Sequence, residues 1–216
     1  MNFETLVLTL PVLLLSVVAH EYAHARVAVA QGDPTPQMLG RLTFNPIPHI
    51  DPIGSIVVPL LLVVLNTGFL FGWAKPVPTV PRNYRNYRKG DILVSSAGII
   101  VNLGLAVGFT LVAVLVKALV GVIGVEWAGL LLRVANWGIL INLVLAVFNL
   151  LPIPPLDGSH LFYYLLPPDL GSKYRALGHQ YGILLVAVVV MLPGFAQFLL
   201  APAFWLYGLA RFVIGL

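Results

Sequence analysis

Residues 20–24 read His20-Glu21-Tyr22-Ala23-His24, an H-E-x-x-H pattern. On a helix, two histidines four apart share one face, so both imidazoles can bind one cation while the glutamate beside the first projects next to it. Catalytic zinc takes three protein ligands and keeps a fourth position for water. The pair therefore needs a third ligand, and the chemistry on offer is metal-assisted hydrolysis. Of the eight acidic residues, Glu21 belongs to the motif itself and Glu4, Asp33, Asp91, Glu126 and Asp169 fall at expected segment ends or in loops, which leaves Asp51 and Asp157 as good candidates. Asp157 is favoured: it follows Pro152, Pro154 and Pro155, which break an apolar helix and release its backbone. The plainer alternative is that Asp157 caps a short helix beginning at Gly158. His160, three residues on, is a lesser candidate ligand.

The elements that must position these residues are membrane helices. Hydrophobic residues make up 59% of the 216 and charged residues 9%, against about 25% charged in ordinary soluble domains. Charged and metal-binding side chains at membrane depth persist mainly when paired, coordinated or facing a wet cavity. A spanning helix needs about 20 apolar residues, and 5–28, 92–120, 128–151 and 181–200 qualify. A fifth stretch, 53–71, is shorter, and 203–216, with Arg211, reads as an interfacial or partly inserted helix. The expectation is an all-α polytopic membrane protein, a bundle of four to six transmembrane segments forming one domain over 1–216 with no appended soluble domain. The first apolar stretch has no basic leader and itself carries the H-E-x-x-H, which argues against a removable signal peptide. With no cysteine, disulfides and thiol chemistry are excluded. The net charge of +4 sits in short loops and forms no basic stripe interleaved with aromatics, so nucleic acid is not an expected partner.

Basic residues in short loops mark the cytoplasmic side. Arg26 and Arg41 follow the first span, and Lys75, Arg82, Arg85, Arg88 and Lys89 lie in the 72–90 loop. Both regions read as cytoplasmic, so 53–71 is expected to enter the membrane and return. Irregular backbone at that depth must be buried in protein or line a cavity, which predicts a re-entrant or strand-like loop beside the active site. Two further spans then bring Asp157 back to the side of His24.

Several pieces together resemble the site-2 proteases, zinc-dependent intramembrane metalloproteases. They are the H-E-x-x-H at 20–24, the segment from Asn149 to Gly158, Ala97-Gly98-Ile99-Ile100-Val101-Asn102, the stretch from Phe44 to Gly54, and Gly72-Trp73-Ala74-Lys75-Pro76-Val77-Pro78. They cover most of the chain in the family's order, with one departure: Ile99 stands where the family commonly has proline. The resemblance implies His20, His24 and Asp157 as ligands of one zinc ion per chain, Glu21 as general base, and Asn149 as a polar contact to substrate or oxyanion. It implies hydrolysis of a peptide bond in or near the transmembrane segment of a membrane-anchored protein. The expected setting is the cell membrane of a prokaryote, with the active site toward the cytoplasm. The alternative from another class is a metal transporter or metal-binding membrane scaffold using the same four residues.

Other polar residues read more plainly. His49 is expected at the interface, His179 in a loop, and Asn102 and Asn142 in helix-to-helix hydrogen bonds within lipid. Phe162-Tyr163-Tyr164 and the Trp205, Tyr207 pair read as interfacial belts.

Overall fold

The computed structural model describes residues 3–58, 60–61 and 72–215, and every regular element among them is helical. The long helices are α1 (Phe3–Gln31), α3 (Tyr87–Ala118), α5 (Val125–Leu150), α7 (Pro168–Met191) and α8 (Pro193–Ile214). Short helices α2 (Thr35–Met38), α4 (Val120–Ile123) and α6 (Asp157–Tyr163) lie between them.

Lipid is as apolar as leucine, so helices associate there through close packing of small residues and polar contacts. The seam between α3 and α5 follows that rule. Ala106 and Ala113 of α3 are buried against Ala135, Ile139 and Leu143 of α5, with Ala203 and Ile214 of α8 in the same core. Gly138 leaves room for the Phe109 ring. Ile100, Val107, Leu111 and Leu115 point outward and stay exposed, as a lipid-facing surface requires. Helix α1 runs antiparallel to α3: Ser16 lies near Asn102, and His24, further along α1, reaches Val94, earlier in α3.

Among the described residues, four helices are long and apolar enough to cross a membrane: Thr5–Gln31, Tyr87–Ala118, Val125–Leu150 and Gly194–Ile214. The first three match the sequence reading, and the fourth corrects it. The stretch 181–200 is not one span, because the chain breaks at Leu192 between α7 and α8. Residues 203–216 do not form a separate interfacial helix; 203–214 are the second half of α8. Pro193 falls at the start of α8, where its missing N–H costs nothing. Pro202 is accommodated inside the helix. Of the expected re-entrant loop, Pro52–Val57 forms a π-helical turn capped by Asp51; most of the remainder lies outside the described residues. Residues 72–80 follow as irregular, extended chain, with no regular strand assigned.

A polar staple fixes the end of α1 to this extended chain. The buried Asp33 carboxylate accepts hydrogen bonds from the Thr35 hydroxyl (2.6 Å) and N–H, the Asn83 amide and the Val80 N–H (2.6 Å). Burial alone would raise its pKa, but these donors win and hold it below the ordinary carboxylate value.

Candidate metal centre

His20 lies eleven residues before the end of α1 at Gln31, about 16 Å along the helix axis. It and His24 are buried. Their Nε2 atoms are 2.9 Å apart, and Asp157 Oδ2 sits 3.2 Å from the first and 3.3 Å from the second. One ligand atom from each residue thus falls within 4.8 Å of the others.

The protons decide what this cluster can be. His24 Nδ1 lies 2.8 Å from the Val94 carbonyl, which can only accept, so that nitrogen carries the hydrogen. His20 Nδ1 is 2.6 Å from Asn102 Oδ1. The Asn102 amide nitrogen donates to Asn142 Oδ1 (2.8 Å), Asn142 donates to Ser16 Oγ (2.8 Å), and Ser16 donates to the Val12 carbonyl (2.7 Å). This chain has one consistent direction, and it fixes Asn102 Oδ1 as acceptor and His20 Nδ1 as donor. Neutral imidazoles protonated there turn two Nε2 lone pairs toward each other and toward a carboxylate. Asp157 Oδ2 is buried without a hydrogen-bond partner. Three converging lone pairs repel unless a cation lies among them, so the donor set fits a divalent metal, and two imidazoles with one carboxylate suit zinc.

The surroundings explain the convergence. Gly98 lets α3 approach the His20 ring, which a β-carbon at 98 would strike. Gly158 lets the start of α6 tuck under the end of α5, where a β-carbon would meet the Leu150 carbonyl. Asp157 is the first residue of α6, and the capping position falls to Leu156. Pro154 packs on Gly178 and Gly182 of α7. The far end of α6 is clamped by buried Asp91, which takes His160 Nδ1 at 3.1 Å, the Tyr164 hydroxyl at 2.8 Å and Arg175 at 3.3 Å.

Other candidates fall elsewhere. His160 is engaged with Asp91 and does not join the ligand group. Asp51 accepts from the N–H groups of Ile53 (3.0 Å) and Gly54 (2.6 Å) as a cap. His49 is buried within the protein, with Nε2 3.0 Å from the Thr43 carbonyl and Nδ1 3.4 Å from Arg41. Glu21 is held by the Val77 N–H at 2.8 Å. Asn149, on the last turn of α5, gives one amide hydrogen to the Leu145 carbonyl at 3.0 Å.

His20, Glu21 and Asn149 line one cavity of about 510 Å³, otherwise walled mainly by apolar side chains, among them Trp73, Trp137, Phe148 and Phe204. A smaller apolar pocket of about 180 Å³ lies along Leu10, Leu14 and Val18, bounded by His49 and Trp73.

Asn102 does more than the packing expected of it, since it orients a ligand ring. Removal of such outer partners typically costs 10- to 100-fold in metal affinity. Asn102→Ala is therefore expected to weaken zinc binding by about that factor, as measured by competition with a chromogenic chelator; unchanged affinity would show that His20 needs no partner.

A polytopic helical fold with a His, His, Asp group able to hold a metal ion and a glutamate alongside is what a membrane metallohydrolase requires. Residues 116–193 match peptidase family M50. Over 182 residues the chain is 40% identical to the candidate zinc metalloprotease YwhC of Bacillus subtilis (strain 168), covering 84% of this chain and 78% of that protein. It is 33% identical over 198 residues to the candidate zinc metalloprotease Rip2 of Mycolicibacterium smegmatis, covering 90% of this chain and 70% of the relative. Rip2 of Mycobacterium tuberculosis (H37Rv) is 32% identical over 200 residues, covering 91% and 71%. No solved structure matches. The chain belongs to peptidase family M50, the site-2 protease family, and is a zinc metalloprotease of that type. That membership sets the transporter alternative aside.

Proposed function

We propose that this protein is an intramembrane endopeptidase that hydrolyses a peptide bond in or near the transmembrane segment of a membrane-anchored protein, in the cell membrane of a prokaryote. The observation that carries the proposal is the convergence of His20, His24 and Asp157 at a point where His20 and Glu21 open onto a largely apolar cavity. His20, His24 and Asp157 would hold one zinc ion per chain, which when bound polarises the scissile carbonyl and acidifies a water molecule.

Glu21 would act as general base and then acid, taking a proton from the attacking water and delivering it to the leaving amine nitrogen. The Val77 N–H, by holding one carboxylate oxygen, keeps the base in place. Asn149 has a second amide hydrogen, and in the developing oxyanion's reach it adds stabilisation of about 3 kcal/mol. A helical substrate hides its carbonyls in hydrogen bonds, so it must unwind, and the extended chain at 72–80 offers a strand-like edge against which it can pair. Apolar walls suit lipid-derived side chains and exclude bulk water, which strengthens the electrostatic contacts inside.

The cytoplasmic placement of the site has separate support. Arg85 pairs its backbone with Gln31 at the end of α1, and Arg88 reaches the Tyr164 carbonyl next to α6. Arg85 and Arg88 thus lie at the same end of the bundle as His24 and Asp157, which supports a cytoplasmic site under the short-loop charge rule.

Purified protein reconstituted with a single-span test substrate is expected to yield products whose mass-mapped cut lies within or beside the membrane segment. Cuts confined to its soluble flanks would contradict the reading.

A further inference from the structure

Residues 73–77 commit one of their two edges to the protein. Trp73 donates its N–H to the Gly54 carbonyl at 3.1 Å and accepts the Ser55 hydroxyl at 2.8 Å. Lys75 donates to the His49 carbonyl at 2.9 Å and accepts from Arg41. Val77 donates to Glu21 at 2.8 Å. The bonded residues are every second one, which is the alternation of an extended chain, so residues 74 and 76 present their backbone groups on the opposite edge. Among the described residues, neither Ala74 nor Pro76 has a backbone hydrogen-bond partner.

That open edge is uneven. Ala74 offers both an N–H and a carbonyl, whereas Pro76 and then Pro78 have no N–H to give. Beyond Pro78 the alternation ends, because Val80 turns its N–H to Asp33. The part of the edge that can pair in both directions coincides with the part facing the chemistry: Gly72, Trp73 and Ala74 line the cavity shared with His20 and Glu21, and Pro76 does not.

We infer that Ala74 and Pro76 set the substrate's register: an unwound substrate peptide pairs with the backbone N–H and carbonyl of Ala74, and Pro76 stops it from sliding further along the edge, so one peptide bond is presented to the cavity. The inference rests on the intramembrane cleavage reading and specifies where the substrate docks. It assigns the prolines a second role beyond protecting an exposed edge from unwanted strand pairing.

The test maps cleavage of a single-span substrate by the full chain in lipid, using mass spectrometry, with zinc content measured on each variant. Wild type is expected to give one dominant cut. Pro76→Ala restores an N–H to the edge and is expected to add a second cut displaced by two residues, the repeat of a strand. Ala74→Pro removes a donor that has no partner in the free protein; its initial rate is expected to fall about tenfold with zinc content unchanged. An unshifted product pattern for zinc-loaded Pro76→Ala overturns the inference. Should Pro76→Ala fail to load zinc, a wild-type rate for Ala74→Pro overturns it instead. Absence of any wild-type cut in or beside the membrane segment would strike the cleavage reading itself, a result separable from either variant's behaviour.

Discussion

Glu21→Gln is expected to retain zinc and fold while losing cleavage by a factor of about 10² to 10⁴, the usual contribution of a positioned general base. The geometry makes this an incisive substitution. Glutamine keeps the shape, and its amide oxygen can still accept the Val77 N–H that now meets Glu21 Oε2 at 2.8 Å. The neighbouring backbone need not move, and His20 and His24 keep their outer partners on α3. What is lost is the capacity to take a proton. Zinc stoichiometry by mass spectrometry of metals and turnover of a single-span substrate, measured on the same preparation, separate the two properties. Retained turnover would remove Glu21 from the role of base.

Asp157→Ala is expected to reduce zinc affinity by more than about 100-fold, beyond the loss typical of an outer partner, and to match His24→Ala. Two imidazoles alone leave the metal with too few protein ligands, and among the described residues the other candidate ligands are engaged elsewhere. Asp51 is occupied capping the turn at Pro52–Val57. His160 is bound to Asp91, which also holds Tyr164 and Arg175. Asp157→Asn is a useful companion, because it keeps the packing of α6 while halving the oxygen donors and removing the charge. Unchanged zinc content in both variants would mean that the third ligand lies elsewhere.

Much of this arrangement is legible in the chain itself, for identifiable reasons. The H-E-x-x-H announces its ligands because helical spacing alone puts His20 and His24 on one face. Asp157 is legible because prolines and a lone acid at the end of an apolar helix are hard to explain as packing. The three spans containing residues 5–31, 87–118 and 125–150 stand out by length and apolarity. The last helix does not, since the apolar run continues across the break at Leu192 and Pro202 lies inside a continuous helix whose Ala203 packs in the core.

What escapes the sequence is pairing over long separations. Asn102 reads as glue between helices, yet its amide connects Ser16, Asn142 and His20 across three helices. Its place in an apolar span and its position in the Ala97 to Asn102 stretch are the available signals, because an amide in lipid needs partners. Val94 and Val77 contribute only backbone atoms, which no side-chain pattern can reveal. Asp33 and Asp91 look like loop acids, and both are buried organisers. His49 reads as an interfacial residue, and it braces the chain leading to Lys75.

The account stands on a single metal gathered by two imidazoles and one carboxylate. Zinc-edge X-ray absorption of the purified, metal-loaded protein addresses it directly. The predicted first shell contains two imidazole nitrogens at about 2.0 to 2.1 Å and carboxylate oxygen at about 2.0 to 2.2 Å, with the oxygen contribution diminished in any zinc retained by Asp157→Ala. A shell with fewer than two imidazoles, or one identical in wild type and Asp157→Ala, would contradict it.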